Sequence, residues 1–395
     1  MPDAGSGRAR MATRAGVLAA SMVPLLFTLR GHGVGDLPIY FAAARAWIEG
    51  RTPYEEIPLE YPPYALLAFA PAALVATSVR QFQVAFGIEL ALVDAAIRAL
   101  LLRVGAARRG AWGYAPFLAY AVVAQLHAFW LYKRFDLIPA ALTLVAVLAA
   151  SGGAAGFSGA ALAAGVGTKV YPGVLGPTLL AEAWRGRRVP RFLAGLLVAS
   201  APLVGLATAW PVLRMFRFHA GRGLQVESLW ASILWLFRSW SGVRWVLAPA
   251  AYELQGGLAP PTLRVAIVVW ILGLGTATLL SLRPPDGPGP GALASRALVP
   301  LLALVALGPV FSPQYVLWIA PLAALLLEPG RWRLAVAPLA AAGLTRVVYP
   351  SPGYQVGFSP GVTVILVVRN GLLVLGLVLL AWAAFRGERA RERLP

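Results

Sequence analysis

Two residues stand out among the basic side chains of this sequence. It contains 34 lysines and arginines, and only Lys133 and Lys169 are lysines. Both lie within or beside apolar runs, whereas the polar loops use arginine throughout. A compact ammonium group at the edge of an apolar segment is suited to bind a phosphate. The alternative is a lysine at a helix end that extends its charge toward water.

Each lysine has polar neighbours. Arg134 and Asp136 follow Lys133 in LYKRFDLIPA, and Tyr171 and Pro172 follow Lys169 in TKVYPGV. We expect Asp136 to pair with Arg134 or to cap the following helix, and not to react.

Asp36 is the acid with the most suggestive position. It lies in GVGDLPIY, where glycines leave the backbone open, directly after the first long apolar run. A carboxylate at that position can accept a proton from a hydroxyl group, as a general base does. Asp followed by Leu37 and Pro38 is also a good helix start, and the residues alone favour a helix cap.

A third polar cluster occurs in the segment HAGRGLQVESLW, between two apolar stretches. Its polar residues are His219, Arg222, Gln225, Glu227 and Ser228. Three tryptophans flank it as anchors at a membrane interface would: Trp210, Trp230 and Trp235. This density of polar groups predicts a site for a phosphate-bearing ligand, and the alternative is a flexible loop.

The remaining charged and metal-binding candidates have simpler interpretations. Asp94 and Arg98 are four residues apart in an apolar helix, which predicts a structural ion pair. The three histidines are scattered without metal-ligand spacing, and cysteine is absent. We therefore predict no metal site, no disulfide and no cofactor.

Composition identifies the elements that must position these side chains as membrane helices. Of 395 residues, 59% are hydrophobic and 13% are charged, and the mean hydropathy is +0.72. Soluble domains carry about 25% charged residues. Apolar runs long enough to cross a membrane recur, and they predict roughly eleven to thirteen crossings in an all-α polytopic fold. Examples are Met11 to Leu29, Ala111 to Trp130, Phe192 to Trp210, Val265 to Leu282, Leu298 to Leu327 and Thr363 to Phe385.

The formal charge of +18 does not indicate nucleic-acid binding, because the arginines lie in short loops between apolar runs. Basic clusters near the N-terminus, at 185–191 and at 386–393 predict cytoplasmic termini in the plasma membrane and an even number of crossings. The first run lacks a small-residue cleavage site, so we expect it to be retained.

The segment 30–61 has the opposite character, since it holds five acids against three arginines. We predict that it is the first extracytoplasmic loop and that Leu37 to Ile48 forms an interfacial helix in it. The runs 62–282 and 292–386, separated by the linker RPPDGPGPG, complete a single membrane domain of residues 1–395. If every run after Pro62 crosses once, Arg103, Arg108 and Arg109 fall outside, against the charge rule.

Several motifs resemble one enzyme family. GDLPIYFAAARAWIEGRTPYEEIPLEYPPY is similar to the first loop of the polyprenyl-phosphate-mannose-dependent mannosyltransferases of the glycosyltransferase 87 family, actinobacterial type. The matching residues are Asp36, Tyr40, Gly50, Pro53, Tyr54, Tyr61, Pro62 and Pro63. AALAAGVGTKVYPGVL, HAGRGLQVESLW and FSPQYVLWIAPL also resemble that family, whereas LYKRFDLIPA departs from its more common Arg-Leu-Gly-Gln form.

This resemblance implies a GT-C fold and an inverting glycosyltransferase of the hexosyltransferase type. The sugar, usually mannose, would move from a polyprenyl phosphate to a hydroxyl of a glycolipid or cell-envelope glycan. It implies that Asp36 is the catalytic base, contrary to the preference for a cap. We assign the donor phosphate to Lys169, His219, Arg222, Lys133 and Arg134. We assign substrate contacts to Tyr40, Tyr54, Tyr61, Gln225, Glu227, Gln314 and Tyr315.

Two other functions share many of these features. A transporter or flippase of a lipid-linked sugar would have the same helices and cations but little need of Asp36. A polymerase or ligase of surface glycans would share the fold class and differ in its donor. The chemistry of transfer needs a carboxylate and a few cations, and by this logic no metal.

Overall fold

The computed structural model describes residues 13–23, 35–106, 108, 110–248, 251–351 and 354–391. These residues are mostly helical. The helices are α1 (13–23), α2 (Leu37–Ile48), α3 (Tyr64–Val75), α4 (Val79–Ala106), α5 (Ala115–Leu126), α6 (Ala128–Leu131), α7 (Leu137–Ser151), α8 (Ala155–Thr168), α9 (Gly176–Arg185), α10 (Val189–Ala209), α11 (Arg214–Ala220), α12 (Leu229–Leu236), α13 (Arg238–Ser241), α14 (Ala259–Ser281), α15 (Pro290–Leu307), α16 (Val316–Leu325), α17 (Trp332–Val348) and α18 (Pro360–Arg391).

A small sheet interrupts the helices between α11 and α14. Its strands are β1 (Leu224–Gln225), β2 (Arg244–Leu247) and β3 (Tyr252–Gln255). They pair antiparallel in the order β1-β3-β2, with Gln225 opposite Glu253. The sheet holds one edge of the polar segment that contains Arg222.

Arginine side chains connect several helix ends on one side of the bundle, which we call the basic end. Arg14 donates to the carbonyl of Leu102, and Arg108 pairs with Glu328 at 2.7 Å. Arg185 donates to the carbonyl of Leu282 at the end of α14. The ends of α4, α9, α14 and α16 therefore lie together with the start of α1.

This arrangement removes the conflict with the charge rule. Arg108 lies at the basic end together with Arg14 and Arg185. Helix α3 has 12 residues and does not extend to the basic end. It folds back beside α2 and the start of α4, where Phe69 lies 4.5 Å from Tyr40 and 6.0 Å from Phe86 between ring centroids. Thus α3 stays at one end of the bundle, and α4 returns the chain to the basic end.

From α4 onward, the described residues run between the two ends of the bundle eleven times, in α4, α5 with α6, α7, α8, α9, α10, α14, α15, α16, α17 and α18. The number of membrane crossings stays a prediction. Among the described residues, four helices are long and apolar enough to span a membrane by themselves: Val189–Ala209, Ala259–Ser281, Pro290–Leu307 and Pro360–Arg386. Which end faces the cytoplasm stays a prediction.

Helices α15 and α16 form the centre of the bundle, and both are buried along nearly their whole length. In contrast, α10 and α14 expose leucine, isoleucine and valine side chains on most of their surface. Such faces suit lipid contact. Glycines allow close packing of α8 on α10, because a side chain at Gly159 or Gly195 would collide with the backbone of the other helix.

Two local predictions are confirmed and one is wrong. Helix α2 spans Leu37–Ile48, and Arg98 pairs with Asp94 at 3.0 Å in a buried site. Asp136, however, makes no side-chain cap and does not pair with Arg134. Its partner is Lys169, which the fold brings in from the end of α8.

Candidate active site

One cavity of about 700 Å³ lies at the end of the bundle opposite the basic end. Its wall is built from the first loop, the ends of α7 and α8, the segment around β1, and helices α14 to α16. The charged side chains that line it are Asp36, Glu60, Arg134, Lys169 and Arg222. Residues far apart in sequence thus meet around one space.

Asp36 occupies the position before α2 but does not cap it. Its main-chain carbonyl accepts from the amides of Ile39 and Tyr40, whereas its side chain makes no cap hydrogen bond. The carboxylate instead pairs with Arg134, and the Tyr40 hydroxyl lies 3.4 Å from Oδ2. The carboxylate is therefore held on the cavity by a cation from a distant helix connection.

Lys169 ends α8 and enters an aromatic box. Its Nζ donates to Asp136 Oδ1 at 2.7 Å, and the indole of Trp318 donates to the same oxygen at 2.7 Å. The ammonium lies 4.7 Å from the ring centroid of Phe135 and 5.5 Å from that of Tyr61. The Asp136 side chain is only 1% exposed, and the Lys169 side chain is 14% exposed. The carboxylate and the rings fix the ammonium at the cavity wall.

Arg222 approaches from the segment before β1. Its guanidinium pairs with Glu60 at 2.8 Å, and Glu60 lies in the first loop just before Tyr61. The Glu253 carboxylate accepts from the amide of Gly223 at 2.8 Å and holds the neighbouring backbone against β3. The pair between Arg222 and Glu60 connects the first loop to the polar segment across the cavity.

Neutral side chains complete the polar part of the wall. Tyr61, Gln225, Gln314 and Tyr315 line the cavity, and buried Oε1 of Gln225 has no hydrogen-bond partner within the described part of the chain. Trp318 stacks between Tyr171 and Tyr315, with 3.9 Å between ring centroids on each side. The cavity wall therefore contains both hydrogen-bonding groups and aromatic rings.

Burial keeps the phenols of the first loop neutral. It raises the pKa of Tyr61 well above its ordinary value, and the Tyr40 phenol and the Glu60 carboxylate beside it raise that pKa further. Burial likewise raises the pKa of Tyr54, whose hydroxyl donates to the carbonyl of Tyr61 at 2.7 Å. Tyr54 thus fixes the backbone of Tyr61.

Four residues assigned to ligand contacts from the sequence do not line the cavity. Tyr40 packs against Phe69 and Phe135, and Tyr54 points into the first loop. Lys133 is buried beside the cavity-lining Arg134, and burial lowers the pKa of its ammonium. Glu227 is fully buried in an ion pair with Arg369. These side chains support the wall instead of forming it. The side chain of His219 lies outside the described part of the structure.

Sequence reasoning also missed residues that face the cavity. Glu60, one of the five acids of the first loop, lines the cavity and pairs with Arg222. Trp318, Tyr252, Tyr349 and Tyr354 also line it. Glu60 lies next to the Tyr-Pro-Pro motif, which was an available signal, whereas nothing local distinguishes the aromatic residues from ordinary interface anchors.

One side of the cavity is apolar and faces the lipid-exposed part of the bundle. It consists of Leu263, Ile267 and Trp270 on α14, together with Leu304 on α15. Most side chains of α14 are exposed on the surface of the bundle. The cavity therefore combines a charged part with an apolar part that adjoins the membrane.

None of the known family profiles matches the sequence of this chain, and no curated protein matches it significantly. The crystal structure of ArnT from Cupriavidus metallidurans bound to undecaprenyl phosphate is similar, with a TM-score of 0.52 and 15% sequence identity. The match covers 95% of this chain and 78% of ArnT. The chain therefore has the GT-C fold of a polytopic helical membrane protein.

Among the described residues, no group of three histidine, cysteine, aspartate or glutamate side chains has the arrangement to hold a metal ion. The charged side chains that line the cavity are held in three cation–carboxylate pairs: Asp36 with Arg134, Lys169 with the buried Asp136, and Arg222 with Glu60.

Proposed function

We propose that this protein transfers a sugar from a polyprenyl phosphate to a hydroxyl of a glycolipid or cell-envelope glycan at the extracytoplasmic face. One observation carries the proposal: Asp36, Lys169 and Arg222, from three distant parts of the chain, line one cavity. Such a transfer needs a base for the acceptor and cations for the phosphate.

The shape of the cavity supports an amphiphilic donor. The cations bind a phosphate, while Leu263, Ile267 and Trp270 offer apolar contacts to a lipid chain that enters between helices. ArnT, whose fold is similar, was crystallised with undecaprenyl phosphate. We extend that ligand class to this chain, together with mannose as the sugar that the family resemblance implies.

In the reaction, Asp36 acts on the acceptor, and Lys169 and Arg222 act on the phosphate of the donor. The acceptor oxygen attacks the anomeric carbon, its proton passes to the Asp36 carboxylate, and the bond from that carbon to the phosphate oxygen breaks. Polyprenyl phosphate leaves with the electron pair and gains negative charge, which Lys169 and Arg222 stabilise. Attack opposite the leaving group inverts the anomeric configuration.

The ion pairs give this mechanism an order. Arg134 pairs with Asp36, and Lys169 and Arg222 likewise each have a carboxylate partner. A donor phosphate competes with these carboxylates for the same cations. When it engages Arg134, the Asp36 carboxylate becomes available to the acceptor hydroxyl. We therefore expect donor binding to precede productive acceptor binding.

A transfer assay tests this function. Purified protein in lipid nanodiscs is incubated with radiolabelled polyprenyl-phosphate-mannose and membrane glycolipid, and labelled product is separated from donor. Wild type is expected to form product, and Asp36→Asn is expected to lose about 10²- to 10⁴-fold in rate. The matched control is Glu49→Gln, an exposed acid of the same loop that pairs with Arg45 and should retain activity.

Two outcomes would reject the proposal. Equal rates for wild type and Asp36→Asn would remove Asp36 as the base. Absence of product with mannose, arabinose and glucose donors, combined with movement of the lipid-linked sugar across vesicle membranes, would assign the protein to the carrier class.

A further inference from the structure

Three tyrosines form an aromatic wall in the cavity that the phosphate chemistry does not use. Tyr252 lies on β3, and Tyr349 and Tyr354 lie between α17 and α18. The ring of Tyr354 stands edge-on to both neighbours, with centroids 5.8 Å from Tyr252 and 4.8 Å from Tyr349. Aromatic rings with a polar tip suit a ligand that has both apolar faces and hydroxyl groups.

A buried ion pair fixes the Tyr354 hydroxyl. It donates to Glu227 Oε1 at 2.7 Å, and Glu227 Oε2 accepts from Arg369 at 3.1 Å. Arg369 and Asn370 also donate to the main-chain carbonyl of Glu227, at 2.9 and 3.2 Å. Glu227 and Arg369 are fully excluded from solvent. Helix α18 thus locks the carboxylate in place beneath the aromatic wall.

The direction of the hydrogen bond between Tyr354 and Glu227 determines whether the Tyr354 hydroxyl can donate to a ligand or only accept from it. Burial raises the pKa of Glu227, and the guanidinium of Arg369 opposes that shift. A neutral Glu227 would leave the Arg369 charge buried without a counter-ion, so the site supports the ionised pair. An ionised carboxylate only accepts hydrogen bonds. The single proton of Tyr354 is therefore committed to Glu227, and its oxygen remains an acceptor.

We infer that Tyr252, Tyr349 and Tyr354 form a sugar-binding subsite, in which a sugar ring packs on the aromatic wall and one ring hydroxyl donates to Tyr354 Oη. This subsite rests on the proposed transferase function and deepens it. Both the donor sugar and the acceptor glycan carry hydroxyl groups of this chemistry, and the experiment distinguishes them.

The test uses Tyr354→Phe, which removes one oxygen and leaves the Glu227–Arg369 pair in place. Two panels of monodeoxy substrates are compared in nanodiscs, one modified in the donor sugar and one in the acceptor sugar. For wild type, one analogue is expected to lose roughly tenfold in kcat/KM, the effect of one neutral hydrogen bond. Tyr354→Phe should lose roughly tenfold with the natural substrate and no longer discriminate against that analogue. The panel that contains it identifies the bound sugar.

Tyr252→Phe is the matched control, because it removes a hydroxyl from the same wall without touching Glu227. It should keep the wild-type discrimination. Unchanged discrimination in Tyr354→Phe across both panels would overturn the subsite. Equilibrium binding of the same analogues, followed by thermal shift, decides the question without turnover. If thermal shift shows selective binding that depends on Tyr354 while the wild-type protein forms no product, the transferase function is refuted and the subsite is retained.

Discussion

The pair between Lys169 and Asp136 allows structural and functional roles to be separated. Lys169→Met removes the ammonium that lies 2.7 Å from Asp136. Asp136 is 1% exposed and would then keep only the hydrogen bond from Trp318, because its Oδ2 has no partner in the described part of the chain. Removing one partner of a buried ion pair costs about 3–5 kcal/mol in free energy of unfolding.

A second variant restores the balance of charge. In Lys169→Met with Asp136→Asn, the amide oxygen still accepts from Trp318 and no buried carboxylate remains. We expect this double variant to recover most of the lost stability. It should still bind the donor poorly, since losing a hydrogen bond from a charged group costs about 1.5–3 kcal/mol, or roughly 10- to 150-fold in donor KM.

The assay combines denaturant unfolding in detergent with transfer kinetics. It compares wild type, Lys169→Met, Asp136→Asn and the double variant. Destabilisation in the single Lys169 variant, recovery in the double variant and a raised donor KM in both would support the account. If Lys169→Met unfolds within 1 kcal/mol of wild type, the buried pair is not structural. If the stable double variant has the wild-type donor KM, Lys169 does not bind the phosphate.

Three further predictions follow from other contacts. Arg222→Ala should raise the donor KM about tenfold or more, and Arg222→Lys should recover part of the loss, as measured by transfer kinetics at fixed salt. Asp94→Asn leaves Arg98 without its buried counter-ion and should lower the free energy of unfolding by about 3–5 kcal/mol while the donor KM stays unchanged. Burial raises the pKa of Tyr54 above its ordinary value of 10.0. Above pH 10, the unfolded chain therefore releases a phenol proton that the folded chain retains. Stability should therefore fall as pH rises through this range, and the fall should be smaller in Tyr54→Phe, as followed by chemical unfolding at each pH.

Local sequence signals predicted the parts of the fold that local chemistry determines. Helix formers from Leu37 to Ile48, followed by Gly50, define α2, and the four-residue spacing of Asp94 and Arg98 defines their pair. Apolar runs likewise predicted the membrane helices. The behaviour of α3 was not predictable from hydropathy, because its apolar sequence resembles that of a crossing helix and only packing shows that it folds back.

The ion pairs of the site show where local reasoning fails. Asp136 and Arg134 are two residues apart, and a local rule pairs them, yet the fold provides Lys169 to one and Asp36 to the other. Glu60 finds Arg222 from 162 positions away. Because these partners are chosen by tertiary packing, the sequence predicted the residue types of the site and not their pairing.

The structure of the protein with a bound polyprenyl phosphate tests the central claim most directly. We predict that the phosphate lies in the cavity within hydrogen-bond distance of Lys169 and Arg222, on the same side of the membrane as Asp36, with the lipid chain against Leu263 and Ile267 of α14. A phosphate bound at the basic end, or in the cavity without contact to either cation, would contradict the account.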